Sequence, residues 1–163
     1  MDVTEVLMAD HKKVEAMFQQ IEDGVDANTG KKLFNQIYHE LSVHTIVEEQ
    51  VFYPALSKYP DFSYLLKDAY KEHAEAKMAL AEIATLEAGS DEWLKKVQKL
   101  HKDIKHHVKD EEDKMFPQVR EKVSATLLDK VGRELVEAKS AKLDGDLLSK
   151  PMAEHFGQTK ATA

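Results

Sequence analysis

The 163-residue sequence predicts an all-α fold: an up-down-up-down four-helix bundle followed by one further C-terminal helix. Three observations carry that expectation. Apolar residues recur at steps of three and four along five stretches, the period of one helix face. Gly and Pro are scarce, at 6 and 4 residues, while a third of the chain is charged, a balance that favours helices. The third observation is an internal repeat, in which the first two helical stretches match the next two in their chemistry-bearing residues.

The first helix runs from about Thr4 to Asp23 on the stripe Leu7, Val14, Phe18 and Ile21, with His11 filling the gap. Gly24, Asp26, Asn28 and Gly30 mark a loop. A second helix is expected from about Lys31 to Lys58, with Ile37, Leu41, His44, Glu48 and Val51 facing inward. Pro54 falls near its end and Pro60 closes it, because proline cannot continue the backbone ladder. The third begins near Asp61, a candidate N-cap, and continues to about Ala88 on Leu66, Ala69, His73, Ala76, Leu80 and Ile83. Gly89 would end it, and Ser90 or Asp91 would cap the next. The fourth spans about Glu92 to Val123 on Val97, Leu100, Ile104, His107, Glu111 and Met115. A fifth amphipathic stretch, about Thr126 to Lys142, shows Leu128, Val131, Leu135 and Val136. The expected organisation is a bundle domain over 1–123, an accessory helix over 124–143 and a flexible polar tail over 144–163.

Bulk composition narrows the function. The chain has no cysteine, which removes disulfides, thiolate nucleophiles and Cys-based metal sites. A formal net charge of −7 without a Lys/Arg block argues against a nucleic-acid partner. No apolar run approaches the roughly 20 residues that span a bilayer, and no signal peptide is legible, so a cytoplasmic protein without a membrane partner is expected.

The repeat centres on His44-Thr45-Ile46-Val47-Glu48-Glu49, followed by Phe52-Tyr53-Pro54. It returns as His107-Val108-Lys109-Asp110-Glu111-Glu112, followed by Met115-Phe116-Pro117. Residues four apart lie one helical turn above each other, so each copy aims an imidazole and a carboxylate the same way. Asp10-His11 and Glu72-His73 repeat at nearly the same offset. About 12 residues separate His11 from its helix end and about 13 separate the second helix start from His44, so an antiparallel hairpin at 1.5 Å per residue levels the two. His73 and His107 level likewise. A lone histidine on an apolar face is ordinarily a satisfied core residue, and one His-x-x-x-Glu pair is ordinarily an ion pair. Four imidazoles and two carboxylates in one buried layer are different, because burying them together is too costly without a compensating cation. Imidazole and carboxylate without sulfur suit iron, manganese or zinc, and six groups in two halves suit two ions. The Glu-x-x-His motif of ferritin-like bundles is absent.

The set His11, His44, Glu48, His73, His107 and Glu111, with Glu-Glu and aromatic-Pro in each copy, resembles the hemerythrin-like (HHE) cation-binding domain over about residues 1–123. The resemblance implies two iron ions, oxo- or hydroxo-bridged, held by those six residues, with O2 or H2O2 as the small-molecule ligand. Two departures matter. Oxygen-carrying members have a second histidine one turn after the third-helix one, where this chain has Lys77. Their fourth-helix carboxylate is an aspartate five after its histidine, whereas Glu111 follows His107 by four and His106 by five. The inward stripe favours His107 over His106. The implied function is catalase-like peroxide turnover or oxygen binding at the di-iron centre, the shorter ligand set favouring iron loss, peroxide turnover or sensing over reversible O2 carriage; an iron- or oxygen-sensing or iron-buffering module without turnover is the alternative. A purely structural zinc would leave ligands unused.

Glu15 is expected to flank the site, and Glu49 and Glu112 to face solvent or the ligands from outside. Tyr38, Tyr53 and Tyr70 are expected to pack, although a phenolate can bind ferric iron. His39, His101, His106 and His155 are expected at the surface. Trp93, Phe18, Phe34, Phe52 and Phe116 would form an apolar wall.

Overall fold

The computed structural model describes residues 1–144, with side chains to residue 142; the expected tail and His155 lie outside the described residues. Among the described residues seven α-helices follow in order: α1 Val3–Glu22, α2 Ala27–Val47, α3 Tyr53–Leu56, α4 Ser63–Ala84, α5 Asp91–Asp110, α6 Phe116–Lys122 and α7 Ala125–Asp144. Two π turns, Glu48–Phe52 and Glu111–Met115, join α2 to α3 and α5 to α6, so each of these pairs is one long, widened helix. With α1 and α4 they make the four-helix bundle, and α7 packs on α1, α2 and the first π turn. No helix among the described residues is long and apolar enough to cross a membrane.

Local chemistry starts the helices. Asp2 and Glu5 close a capping box on α1, Asp26 accepts from the Thr29 N–H at 2.8 Å, and Ser90 accepts from Trp93 at 3.2 Å. Asp26 as cap starts α2 at Ala27, earlier than the expected Lys31, and takes Asn28 and Gly30 into the helix. Asp61 does not cap α4. It lies in a short 3₁₀ turn, Pro60–Phe62, and pairs with Lys122 instead. The third long helix ends at Ala84, short of the expected Ala88, and Gly89 turns the chain at φ +85°.

Pro54 does not end its helix. Proline lacks an N–H and its ring crowds the carbonyl four residues back. A widened turn placed just before it relieves both conflicts, and Pro117 repeats the device after the second π turn. The extra residue also resets the helix face. Glu48, Phe52 and Tyr53 are all fully buried, as are Glu111, Met115 and Phe116 to within 2%. The expected inward Val51 is displaced to a half-buried position by that reset.

The core is two apolar clusters. One holds Val3, Leu7, Phe52, Leu56, Phe62 and Val119 with Leu128, Val131 and Leu135 of α7. The other holds Val14, Phe18, Ile37, Leu80, Trp93 and Leu100. Each fully buried Leu or Phe contributes roughly 1.5–3 kcal/mol, so the clusters hold the helices in register on both sides of the layer between them. Gly132 lets α7 approach closely; a Cβ there would stand 2.8 Å from the Met1 carbonyl oxygen. Val136, expected inward, is 49% exposed because α7 has only the bundle on one side.

Candidate metal centre

Between the two clusters lies a polar layer. His11 of α1, His44 of α2, His73 of α4, His107 of α5, and Glu48 and Glu111 of the π turns all converge there, each at most 8% exposed. They form two trios, His11, His44 and Glu111, and Glu48, His73 and His107. Within each trio the ligand atoms lie within 4.8 Å of one another.

The carboxylates sit between the halves. Glu48 Oε1 is 2.6 Å from His44 Nε2 and 3.4 Å from His73 Nε2; Glu111 Oε1 is 3.2 Å from His11 Nε2 and 3.5 Å from His107 Nε2. Two ligands of one ion, each about 2.1 Å from it and roughly at right angles, stand about 3 Å apart, so these spacings suit shared metal ions. Nε2 of His11, His44 and His107, both oxygens of Glu48 and Oε1 of Glu111 are buried and face only one another, with no hydrogen-bond partner from outside the layer. Orphaned buried polar atoms are destabilising, and this many converging on one point fit cations.

Each imidazole is fixed from outside by a carboxylate on Nδ1. Glu112 holds His11 at 2.7 Å, Asp10 holds His44 at 3.3 Å, Glu49 holds His73 at 2.8 Å and Glu72 holds His107 at 2.9 Å. The pattern has the pseudo-twofold symmetry of the sequence repeat. Such pairs orient Nε2 inward and raise its basicity. Glu49 and Glu112 therefore take the second of their two expected roles, facing the candidate ligands from outside.

Electrostatics of the layer favour positive charge. Burial alone would push the His44 imidazole down, but the Glu48 charge and the bonds from Asp10 and Glu48 raise it to about 10. His73 goes to about 9, burial again being outweighed by Glu48 and Glu49. Against burial, His44 and His73 hold the Glu48 carboxyl well below its ordinary range.

Tyr53 was expected to pack, with a phenolate ligand as the alternative. Its buried hydroxyl donates to Glu111 Oε2 at 2.8 Å and lies 3.2 Å from His73 Nε2, at the same layer as the candidate ligands. Burial and the Glu111 and Glu48 charges push its ionisation well above the ordinary value. Phe116, its counterpart, stacks on His11 as Tyr53 stacks on His73. One half therefore has an additional oxygen donor and the other has a bare ring. The Tyr–Phe difference in the repeat was the available sign. Tyr53→Phe is expected to destabilise the metal-free fold by about 1.5–3 kcal/mol, the range for a hydrogen bond to a charged group, as measured by urea denaturation.

Lys77, in the position of the missing histidine, is 9% exposed and donates to Glu49 at 3.2 Å. Glu15 turns away from the layer to His101 Nε2, 2.6 Å away. His101, expected at the surface, is instead 2% exposed; Glu22 takes its other nitrogen and Phe18 stacks on it at 4.7 Å. The two carboxylates of α1 compensate the burial, which no spacing on α5 announces. His39 is half-buried, while the His106 side chain is 69% exposed, so His107 and not His106 enters the layer. A cavity of about 590 Å³ reaches the four histidines past Leu41, Leu80, Leu100 and Ile104, with Lys77 in its wall.

The family model "Hemerythrin HHE cation binding domain" matches residues 2–119. The chain belongs to the hemerythrin HHE cation-binding family. A solved structure of such a domain-containing protein from Mycobacterium kansasii superposes with a TM-score of 0.75 at 21% identity, covering 88% of this chain and 90% of that one. Its likeness supports the fold. Two curated relatives are also similar. A protein of Nostoc sp. (strain PCC 7120) named DNA nickase is 28% identical over 140 residues, 86% of this chain and 40% of that protein. A hemerythrin-like protein of Schizosaccharomyces pombe is 25% identical over 117 residues, 71% of this chain and 58% of that protein. This HHE chain thus spans about half the length, or less, of the curated relatives it matches. Cation binding follows from the family, and the two buried His/Glu trios are where this member's layer can provide it.

Proposed function

We propose that this HHE protein holds two iron ions between His11, His44 and Glu111 on one side and Glu48, His73 and His107 on the other, and that the centre reacts with O2 or H2O2. The observation that carries it is the layer itself: orphaned Nε2 and carboxylate atoms facing inward, every Nδ1 tied to an outer carboxylate, and a cavity leading to them. Two bound iron ions would supply two one-electron couples, enough for the two electrons that separate H2O2 from either O2 or water. The chain supplies the rest. Leu41, Leu80 and Leu100 give the cavity an apolar stretch of wall beside the histidines. The Tyr53 hydroxyl holds a proton at the layer, and Lys77 places a positive charge at the cavity wall. Metal analysis is expected to give two iron ions per chain, and the iron-loaded protein is expected to release O2 from H2O2 in the ratio of one O2 to two H2O2. An iron-loaded protein inert to both oxidants overturns the reactivity.

One observation favours a sensing role as the second proposal. Asp10, which holds His44, uses its other oxygen to bind Lys139 of α7, so the accessory helix is tied to the layer through a single carboxylate. Metal-dependent protection of α7 from hydrogen exchange, without peroxide turnover, would select sensing. The nickase relative's activity is not carried over, because this chain covers 40% of that protein.

A further inference from the structure

The pseudo-twofold symmetry is broken on the outer face of the bundle. On the α2 side, every residue from Leu41 to Glu48 is buried, because α7 covers the face that points away from the layer. Val43 and Val47 pack there with Leu128, Val131 and Leu135, and Lys139 takes the second oxygen of Asp10. The corresponding positions on α5 are His106 and Asp110, and no helix covers them among the described residues. The second oxygen of Glu72, the counterpart of Asp10, faces this pair.

There the three side chains form a cluster of their own. His106 Nε2 is 3.3 Å from Asp110 Oδ2 and 3.8 Å from Glu72 Oε2, and one ligand atom from each lies within 4.8 Å of the others. Glu72 keeps Oε1 on His107 Nδ1 at 2.9 Å, and Lys114 pairs with the other Asp110 oxygen at 3.1 Å. A separate crevice of about 140 Å³ is lined by Asp68, Glu72 and Asp110 and, further in, by His107 and Glu111; His106 stands beside it and lines the larger cavity together with Glu72. At its inner end His107 Nε2 and Glu111 Oε1 are buried, with no hydrogen-bond partner from outside the layer. Asp68, Glu72, Asp110 and Glu111 against Lys114 make the passage net negative, which concentrates cations and raises their on-rate.

We propose that Glu72, His106 and Asp110 form an outer divalent-cation site, at the mouth of the crevice leading to His107 and Glu111, through which metal reaches the buried centre. This rests on the metal-centre proposal above. The donors are imidazole and carboxylate, suited to Fe(II), Mn(II) or Co(II). Their exposure makes the site weak and quickly exchanging, as a point of transfer requires. α7 closes the equivalent outer face of the other half, so this crevice has no counterpart there among the described residues.

Co(II) uptake by the metal-free protein, followed by its visible absorption under anaerobic conditions, tests this. The double variant His106→Ala/Asp110→Asn leaves every residue of the buried layer in place. Its uptake rate constant is expected to fall on the order of tenfold, the lower end of electrostatic focusing. Release to a chelator is expected to slow by the same factor, with affinity unchanged and two Co(II) per chain at the end. Asp129→Asn, an exposed charge on α7 away from the crevice, is expected to change uptake by less than about twofold because salt screens it. Uptake at the wild-type rate in the double variant overturns the port while leaving the centre intact. Weaker final binding in that variant also overturns it, since the pair would then be holding the centre together. A wild-type chain that never takes up two Co(II) overturns both the port and the centre.

Discussion

Stripping the metal from this protein is expected to lower its melting temperature by roughly 10–20 °C, since about 5 kcal/mol of binding free energy is lost at a few degrees per kcal/mol. Each ion present at 100 times its dissociation constant stabilises the fold by about 2.7 kcal/mol, and a chain of this size shifts by about 2–4 °C per kcal/mol. The coupling is direct because the layer is formed only by the folded bundle. Glu48 and Glu111 are 0% and 1% exposed, and without a cation their charge is met only by imidazoles and, at Glu111, by the Tyr53 hydroxyl. Alkaline pH is expected to widen the gap. The folded values of His44 and His73 are raised to about 10 and about 9, above the ordinary 6.5. Their contribution to the metal-free fold is therefore complete below pH 6.5 and is lost as pH rises through about 9 to 10. A bound metal needs neutral imidazoles, so the loaded form does not share that loss. Differential scanning fluorimetry of loaded and chelated protein at pH 7 and pH 9.5 checks both statements. Equal melting temperatures would remove the centre from the fold's stability altogether.

Glu48→Ala is expected to leave at most one tightly held metal per chain. Glu48 Oε1 faces an imidazole from each half, His44 and His73, and neither of its oxygens has another hydrogen-bond partner. Its removal deletes a donor from one trio and the shared contact with the other. It also leaves His44 and His73 without the charge that holds them up. By pseudo-symmetry Glu111→Ala should act alike, with the added loss of the acceptor for Tyr53. The neighbouring Glu49→Gln gives the contrast. Glu49 touches only the outer nitrogen of His73 and Lys77, so its substitution is expected to keep two metals per chain while weakening affinity about 10–100-fold. Metal counting after dialysis, with chelator competition for affinity, separates the two. Identical behaviour of Glu48→Ala and Glu49→Gln would mean that the inner and outer carboxylates are wrongly assigned.

Much of this was legible in the chain. Helical spacing put His44 above Glu48 and His107 above Glu111, and the repeat brought Asp10-His11 and Glu72-His73 to the same level. Those are properties of single helices and of loop lengths, which local sequence dictates. Less legible was anything that depends on a neighbouring helix. His101 on α5 looks like a surface residue until Glu15 and Glu22 of α1 are placed on its two nitrogens. The same holds for Glu49 and Glu112, whose helical angle left two directions open until His73 and His11 stood opposite them.

The sequence by itself determined an all-α bundle, a family and six residues able to meet in one layer, because a 3.6-residue period and an internal repeat survive without coordinates. Only the tertiary structure decided how Tyr53 joins the layer and which outer face α7 closes. A π turn adds one residue and rotates all that follows by about 100° relative to the stripe, and neither helix propensity nor hydrophobic spacing announces it. Which face a helix covers is set by the packing of two surfaces, and each of those surfaces alone is only half of the instruction.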